Sequence, residues 1–210
     1  MNKVSAFIDE LSSLSFRDTF NPYSDYCIEN DIESAPQIRK KTLFDILTKA
    51  SQVEVSSIWI GRDLGYRGGR RTGLALTDDV HIENHAARWG VKPINPTKGI
   101  CISERTAAMI WSVLDNIDEN IFLWNAFPFL PHLSNLPFTN RNHNSIERKC
   151  GIEILEQLIN IVEPRYLIAI GNDAFNTASR IKTTCEVKKV RHPSYGGHNI
   201  FLKQILELYS

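Results

Sequence analysis

The chain has no excess of charge of either sign: 24 basic residues balance 24 acidic ones. Total charge therefore carries no signal for nucleic acid, and none for a strongly acidic or basic ligand. No apolar run reaches the length of a membrane-spanning helix, and no N-terminal stretch combines basic residues with an apolar segment. A cytoplasmic location is expected. Four cysteines, Cys27, Cys101, Cys150 and Cys185, lie far apart with no CxxC pair, which predicts small buried or half-buried thiols rather than bridges or ligands. Six histidines are scattered without ligand spacing, so a metal site is not expected. Also missing are a GxSxG elbow, a GxxxxGK[ST] loop and a GxGxxG turn. Their absence argues against α/β hydrolases and the common nucleotide-binding enzymes.

What is present is unevenly distributed. Residues 1–35 hold seven acids against Lys3 and Arg17, whereas residues 62–71 carry Arg62, Arg67, Arg70 and Arg71 against Asp63 alone. A second basic stretch, 182–192, holds Lys182, Lys188, Lys189 and Arg191 against Glu186. Brought together, the two stretches would make a positive face suited to a phosphate backbone; apart, they are solvated loops.

At 210 residues the chain fits one domain, with 1–52 as a helical extension packed on the rest. Val4, Phe7, Ile8, Leu11 and Leu14 recur at helical spacing, and Ser34-Ala35-Pro36 starts a second helix with Ile38, Phe44, Leu47 and Ala50 on its face. Residues 15–35 read as irregular. Val53–Gly61 ends as a buried strand, followed by a glycine-rich stretch to about Lys98 that reads mostly as loop. Ser103 N-caps a helix with Ala107, Ile110, Trp111 and Leu114 on one face. A second strand, Ile121–Trp124, runs into Asn125. A helix from Asn144, with Glu147 at the capping-box position, buries Ile146, Cys150, Leu155, Leu158 and Val162. Tyr166–Ile170 is a third strand, Glu186–Arg191 a fourth, and a last helix covers about 199–208. Trp59 and Trp124 belong to the core. The alternation predicts a three-layer α/β/α sandwich around a four-stranded parallel sheet.

Ligands of such folds bind beyond the carboxyl ends of the strands. Three of those ends carry chemistry: Gly61-Arg62-Asp63, Asn125 and His192. An acid, an amide and an imidazole would share one rim.

In these residues the chain resembles the uracil-DNA glycosylase superfamily, over roughly 55–205. Gly61-Arg62-Asp63-Leu64-Gly65 matches the motif after the first strand, and Arg71–Thr77 the segment lining the base pocket. Phe122–Ala126 matches the strand whose asparagine reads the base, and His192-Pro193-Ser194 the final motif. Gly65–Gly68, Leu123–His132 and Arg191–Gly197 are similar to a bacterial branch whose members are mostly uncharacterised.

The resemblance implies a monofunctional, metal-independent N-glycosyl hydrolase acting on a flipped-out base in DNA. It implies that Asp63 positions or activates water, that His192 donates to the pyrimidine O2, and that Asn125 pairs with the base edge. Gly61, Arg62, Gly65, Tyr66, Leu76 and Phe127 would form the base pocket. Arg67, Gly68, Arg70, Arg71, Ser194, Tyr195, Gly196 and His198 would contact DNA. His132 and Arg141 lie near the Asn125 loop, with no role assigned. No iron–sulfur cluster or other cofactor is expected, because the cysteines lack the N-terminal pairing of members that carry one. The expected partner is DNA, single-stranded or easily unpaired, met by a monomer with no membrane.

Three departures bear on the substrate. Gly65 replaces a tyrosine that rejects C5 substituents, Leu76 replaces an aromatic base stacker, and Tyr195-Gly196-Gly197-His198 lacks the wedge residue. The base is thus uracil or another deaminated base, or alternatively a bulky C5-modified pyrimidine of the kind found in phage DNA. The first places the enzyme in DNA repair, the second in phage defence. A DNA-binding module without catalysis is the rival of another class.

Overall fold

The computed structural model describes residues 2–209. Four strands form the parallel sheet: β2 (Ser57–Gly61), β3 (Ile121–Asn125), β5 (Tyr166–Ile170) and β6 (Glu186–Val190), in the order β3-β2-β5-β6. Around them lie α1 (Lys3–Ser13), α2 (Ala35–Ala50), α3 (Gly69–Thr72), α4 (Ile82–Arg88), α5 (Arg105–Leu114), α6 (Ser145–Val162), α7 (Asn172–Ala178) and α8 (His198–Leu208). A short antiparallel pair, β1 (Thr19–Phe20) with β4 (Leu130–Pro131), completes the elements. It gives residues 15–35 more order than their pattern predicts.

Strand periodicity divides the core. Ile58, Ile60, Phe122, Trp124, Leu167 and Ala169 face one way, into a cluster with α1, α2, α6 and α7. Trp59, Ile121, Leu123, Ile168, Ile170 and Val190 face the other way, against α5 and α8. Both faces are covered, so the expected α/β/α sandwich is the observed one, and β2 and β3 are buried throughout, with apolar residues at their centres because neither side meets water.

Several local expectations change. Helix α5 begins at Arg105, one turn position later than a Ser103 cap would give, and Glu104 stands at its N-cap without a side-chain cap bond. In α6 the capping box forms as expected, with Asn144 and Glu147 reciprocally bonded. Ile146, however, points to solvent rather than into the core, because the first turn of α6 turns the neighbouring Glu147 inward instead. In α2 the most deeply buried apolar residues are Leu43, Ile46 and Leu47, while Ile38 and Phe44 are half-buried. Arg39 and Thr42 complete the inward face, so polar residues on the buried stripe displaced the apparent apolar one. Within the glycine-rich stretch α3 and α4 form; α4 buries Ile82 and Ala86, with Trp89 at its C-cap, on one face. Cys101 is exposed, contrary to expectation; Cys27 is buried and the other two are half-buried. No described helix is long and apolar enough to cross a membrane.

Candidate active site

Parallel pairing aligns Gly61 with Asn125 across β2 and β3 and brings Ile170 and Val190 to the same edge. The backbone continues this register past the strands: Ala126 N–H donates to Gly61 O at 2.8 Å, and Phe127 N–H to Arg62 O at 3.0 Å. Beyond that rim lies a cleft of about 430 Å³, lined by Asp63, Leu76, Glu104, Asp173, His192 and Tyr195 among others. It falls within the size range of small-molecule sites.

Asn125 is 1% exposed, yet neither its Oδ1 nor its Nδ2 has a hydrogen-bond partner among the described residues. A buried amide without partners is costly, on the order of 1–3 kcal/mol for each unmatched group. Its Oδ1 lies where a side chain on Gly61 would begin, only 2.3 Å from an ideal Cβ there. Gly61 lines the cleft, so the amide sits directly against its wall. Gly61→Ala is expected to push the amide aside and lower excision by at least about tenfold, with a larger loss on the correct base than on a mismatched one. Single-turnover rates of wild type and variant on two bases check this.

His192 follows β6. Ser194 N–H donates to His192 Nδ1 at 3.1 Å, which leaves the ring hydrogen on Nε2. Burial, with the charges of Arg62 and Arg191, lowers its pKa against the opposing pull of Asp173. The ring is thus neutral and already oriented as an Nε2–H donor. Protonation would place a second hydrogen against Ser194 N–H, and its midpoint lies below the ordinary value of 6.5. The excision rate is therefore expected to be higher at neutral pH than in acidic solution, falling as the pH drops below the ordinary histidine value. A rate that climbs as the pH drops through that value would contradict this role.

Asp63 is nearly buried, and both its oxygens are held. Oδ2 accepts from Arg62 Nε at 2.8 Å and Oδ1 from His143 Nδ1 at 2.5 Å. His143 Nε2 in turn faces Arg148 Nε at 3.5 Å. This imidazole was not anticipated from the sequence. Its only signal is a position immediately before the Asn144 cap, which fixes its backbone but says nothing of Asp63. Arg62 also reaches Asp173 at 3.2 Å and so straps β2 to α7 across the cleft. Arg141, on the cleft wall, is tied by two bonds to buried Glu147 and so anchors the 140–144 loop.

Other expected site residues separate clearly. Gly61, Arg62, Gly65, Leu76, Ser194 and Tyr195 line the cleft. Tyr195 is 96% exposed, with a positive φ of 54° that turns its ring to solvent at the mouth. Phe127 does not stack in the pocket: it is fully buried, edge-on to Phe129 at 5.3 Å and to Phe16 at 5.5 Å. Tyr66 packs against the small cluster of Phe20, Leu64 and Leu130, with Arg67 over its ring. Arg70 and Arg71 are not phosphate contacts, since both are buried. Arg70 lies between the rings of Phe20 (4.3 Å) and Phe138 (4.8 Å), and Arg71 pairs with Asp79 at 2.7 Å. Arg67 remains exposed, and Gly68 backs onto Glu104. Gly196 and His198 lie outside the cleft lining, as does His132. Of the two basic stretches, Lys188 and Lys189 pack on Tyr166 and Phe175. Only Arg62 and Arg191 from those stretches line the cleft.

The carboxyl edge of the parallel sheet thus gathers an acid, a buried amide without a partner among the described residues, and an imidazole. The chain belongs to the uracil DNA glycosylase superfamily: the sequence pattern of that family matches residues 58–207. In fold it is similar to the crystal structure of wild-type Pedobacter heparinus SMUG2, with a TM-score of 0.67, 13% identity, and coverage of 100% of this chain and 97% of that one. No curated protein matches it in sequence.

Proposed function

We propose that the protein is a monofunctional DNA glycosylase that takes a flipped-out deaminated or otherwise modified base into the cleft and hydrolyses its bond to deoxyribose. Superfamily membership supports base excision in general. The observation that carries the reading to this chain is Asn125, a buried amide without a hydrogen-bond partner among the described residues; it is not itself in the cleft lining but lies directly behind Gly61, which is. A base edge offering complementary groups would satisfy it, and a base with the wrong pattern would leave it unpaired, which is how such sites discriminate.

The reaction breaks the bond between N1 of a pyrimidine and C1′ of the sugar, with the electron pair leaving on the base. His192 Nε2–H is placed to hydrogen-bond the oxygen on which that charge collects, a contact stronger in the transition state than in the ground state. The Asp63 carboxylate opposes positive charge on the sugar and accepts a proton from the water that adds to C1′. His143 and Arg62 fix both its oxygens while leaving each a lone pair for that water. His143 is in this account a positioning residue.

DNA would approach along the mouth of the cleft. Arg62, Arg148 and Arg180 line a smaller cavity beside His143, a place for a backbone phosphate. The exposed Tyr195 is the aromatic group best placed to fill the gap left by an extruded base. We read the substrate as single-stranded or easily unpaired DNA and the enzyme as a monomer. Mass spectrometry of bases released from DNA pools containing uracil, hypoxanthine and hypermodified pyrimidines tests the proposal. Release of one free base supports it, whereas tight DNA binding with no release from any pool favours a binding module.

A further inference from the structure

Glu104 has no assigned part in the chemistry, yet its carboxyl group lies in the cleft wall. It rests against two glycines: an ideal Cβ on Gly65 would come within 2.4 Å of Oε1, and one on Gly68 within 1.9 Å of Oε2. The carboxyl group therefore occupies space that any side chain at either position would take. Its backbone is fixed from behind, with Glu104 N–H donating to buried Asp78 Oδ2 at 2.6 Å. Although it occupies the N-cap of α5, its side chain makes no cap bond. Neither oxygen has a hydrogen-bond donor among the described residues.

An ordinary capping or salt-bridging glutamate would show one of those partners. Glu104 instead is half-buried beside a like charge, Asp78, with Arg67 as the nearest countercharge, and burial followed by Asp78 raises its pKa to about 7. Partial burial strips water from the ionised form, and donors from a bound group would restore what is lost. A phosphate would be repelled, and the sugar carbon under attack belongs beside Asp63. A hydroxyl or amine carried by the base itself would satisfy the carboxyl group, which fills the space beside Gly65.

We propose that Glu104 is a specificity-determining residue that hydrogen-bonds a hydroxyl- or amine-bearing substituent on the flipped base, so that the site takes pyrimidines modified with such a group in preference to bare uracil. This rests on the glycosylase reading and narrows its substrate class. Uracil fills the Asn125 side of the pocket equally well but leaves Glu104 without a donor.

The test uses single-stranded oligonucleotides carrying one uracil or one 5-hydroxymethyluracil, and their 2′-fluoro counterparts, which bind without being cleaved. Wild type is expected to favour the hydroxymethyl base roughly ten- to a hundredfold in both binding and single-turnover excision. Glu104→Leu, which keeps the bulk and removes the acceptor, should bring that ratio close to one. Glu104→Gln, which retains an acceptor oxygen, should keep part of it. A wild-type ratio near one, or a ratio that survives Glu104→Leu, overturns the inference. Retained binding preference without release of either base supports the role of Glu104 while refuting the glycosylase reading. Release of both bases at equal rates does the reverse.

Discussion

Asp63→Asn is expected to lower single-turnover excision by about 10²- to 10⁴-fold, the usual contribution of a positioned base or carboxylate. The substitution keeps size and shape but removes the charge and the proton acceptor. It also disturbs the partners: His143 Nδ1 and Arg62 Nε both donate to this side chain, and an asparagine has only one oxygen to offer them. The loss should therefore appear in the chemical step, with DNA binding changed far less, because Arg148 and Arg180 are untouched and Arg62 keeps its bond to Asp173. His143→Ala should give a smaller loss, and combined with Asp63→Asn it should add little, since the imidazole acts through the carboxylate. Fully additive losses would separate the two residues. Rates under enzyme excess, alongside binding of a 2′-fluoro strand, measure all of this.

The largest stability effect is expected away from the chemistry. Arg39, on α2, is fully enclosed and its guanidinium is paired with both oxygens of buried Asp31. The same group donates from Nε to Arg71 O at 2.8 Å and thereby ties the N-terminal helices to α3 at the back of the glycine loop. Arg39→Met leaves a buried carboxylate without its countercharge. Breaking one side of such a pair costs about 3–5 kcal/mol. For a chain of this length the midpoint of thermal unfolding should fall by on the order of 10 °C. Replacing both partners with apolar residues should recover much of that loss, because the uncompensated charge goes with them. Calorimetry on the single and double variants decides it; a double variant as unstable as the single one would mean that the bonds to Arg71 and Pro22, rather than the ion pair, hold this junction.

The sheet was legible because apolar runs ending at Gly61, Asn125 and Gly171 mark three strands with their carboxyl ends, while β6, Glu186-Val187-Lys188-Lys189-Val190, was legible mainly from its place before His192. Alternation with amphipathic helices then left only one layering. The arginines were less legible. Sequence treats a run such as Arg70-Arg71 as surface, and nothing local reveals that Asp79 and a pair of aromatic rings wait inside for them. Residues 15–35 read as irregular, yet they supply Asp31, the buried partner of Arg39. Phe127 was misplaced for a related reason: being two residues beyond a site asparagine does not point a ring into the site, and the chain turns it inward onto Phe16 and Phe129. His143 and Glu104 come from the 140–144 loop and the N-terminus of α5, elements whose approach to the cleft depends on tertiary packing. Neither has a spacing to Asp63 or Gly65 that could be read in one dimension.

The most direct measurement is the fate of a single modified base in an oligonucleotide incubated with excess wild-type protein. The expected products are the free, intact base and a strand with an abasic site at that position, the backbone remaining unbroken until treated with alkali, and neither product forming with His192→Ala on the same timescale. Bound DNA whose base stays attached, or a strand cut with no free base released, would contradict the assignment of this cleft to hydrolysis of the N-glycosidic bond.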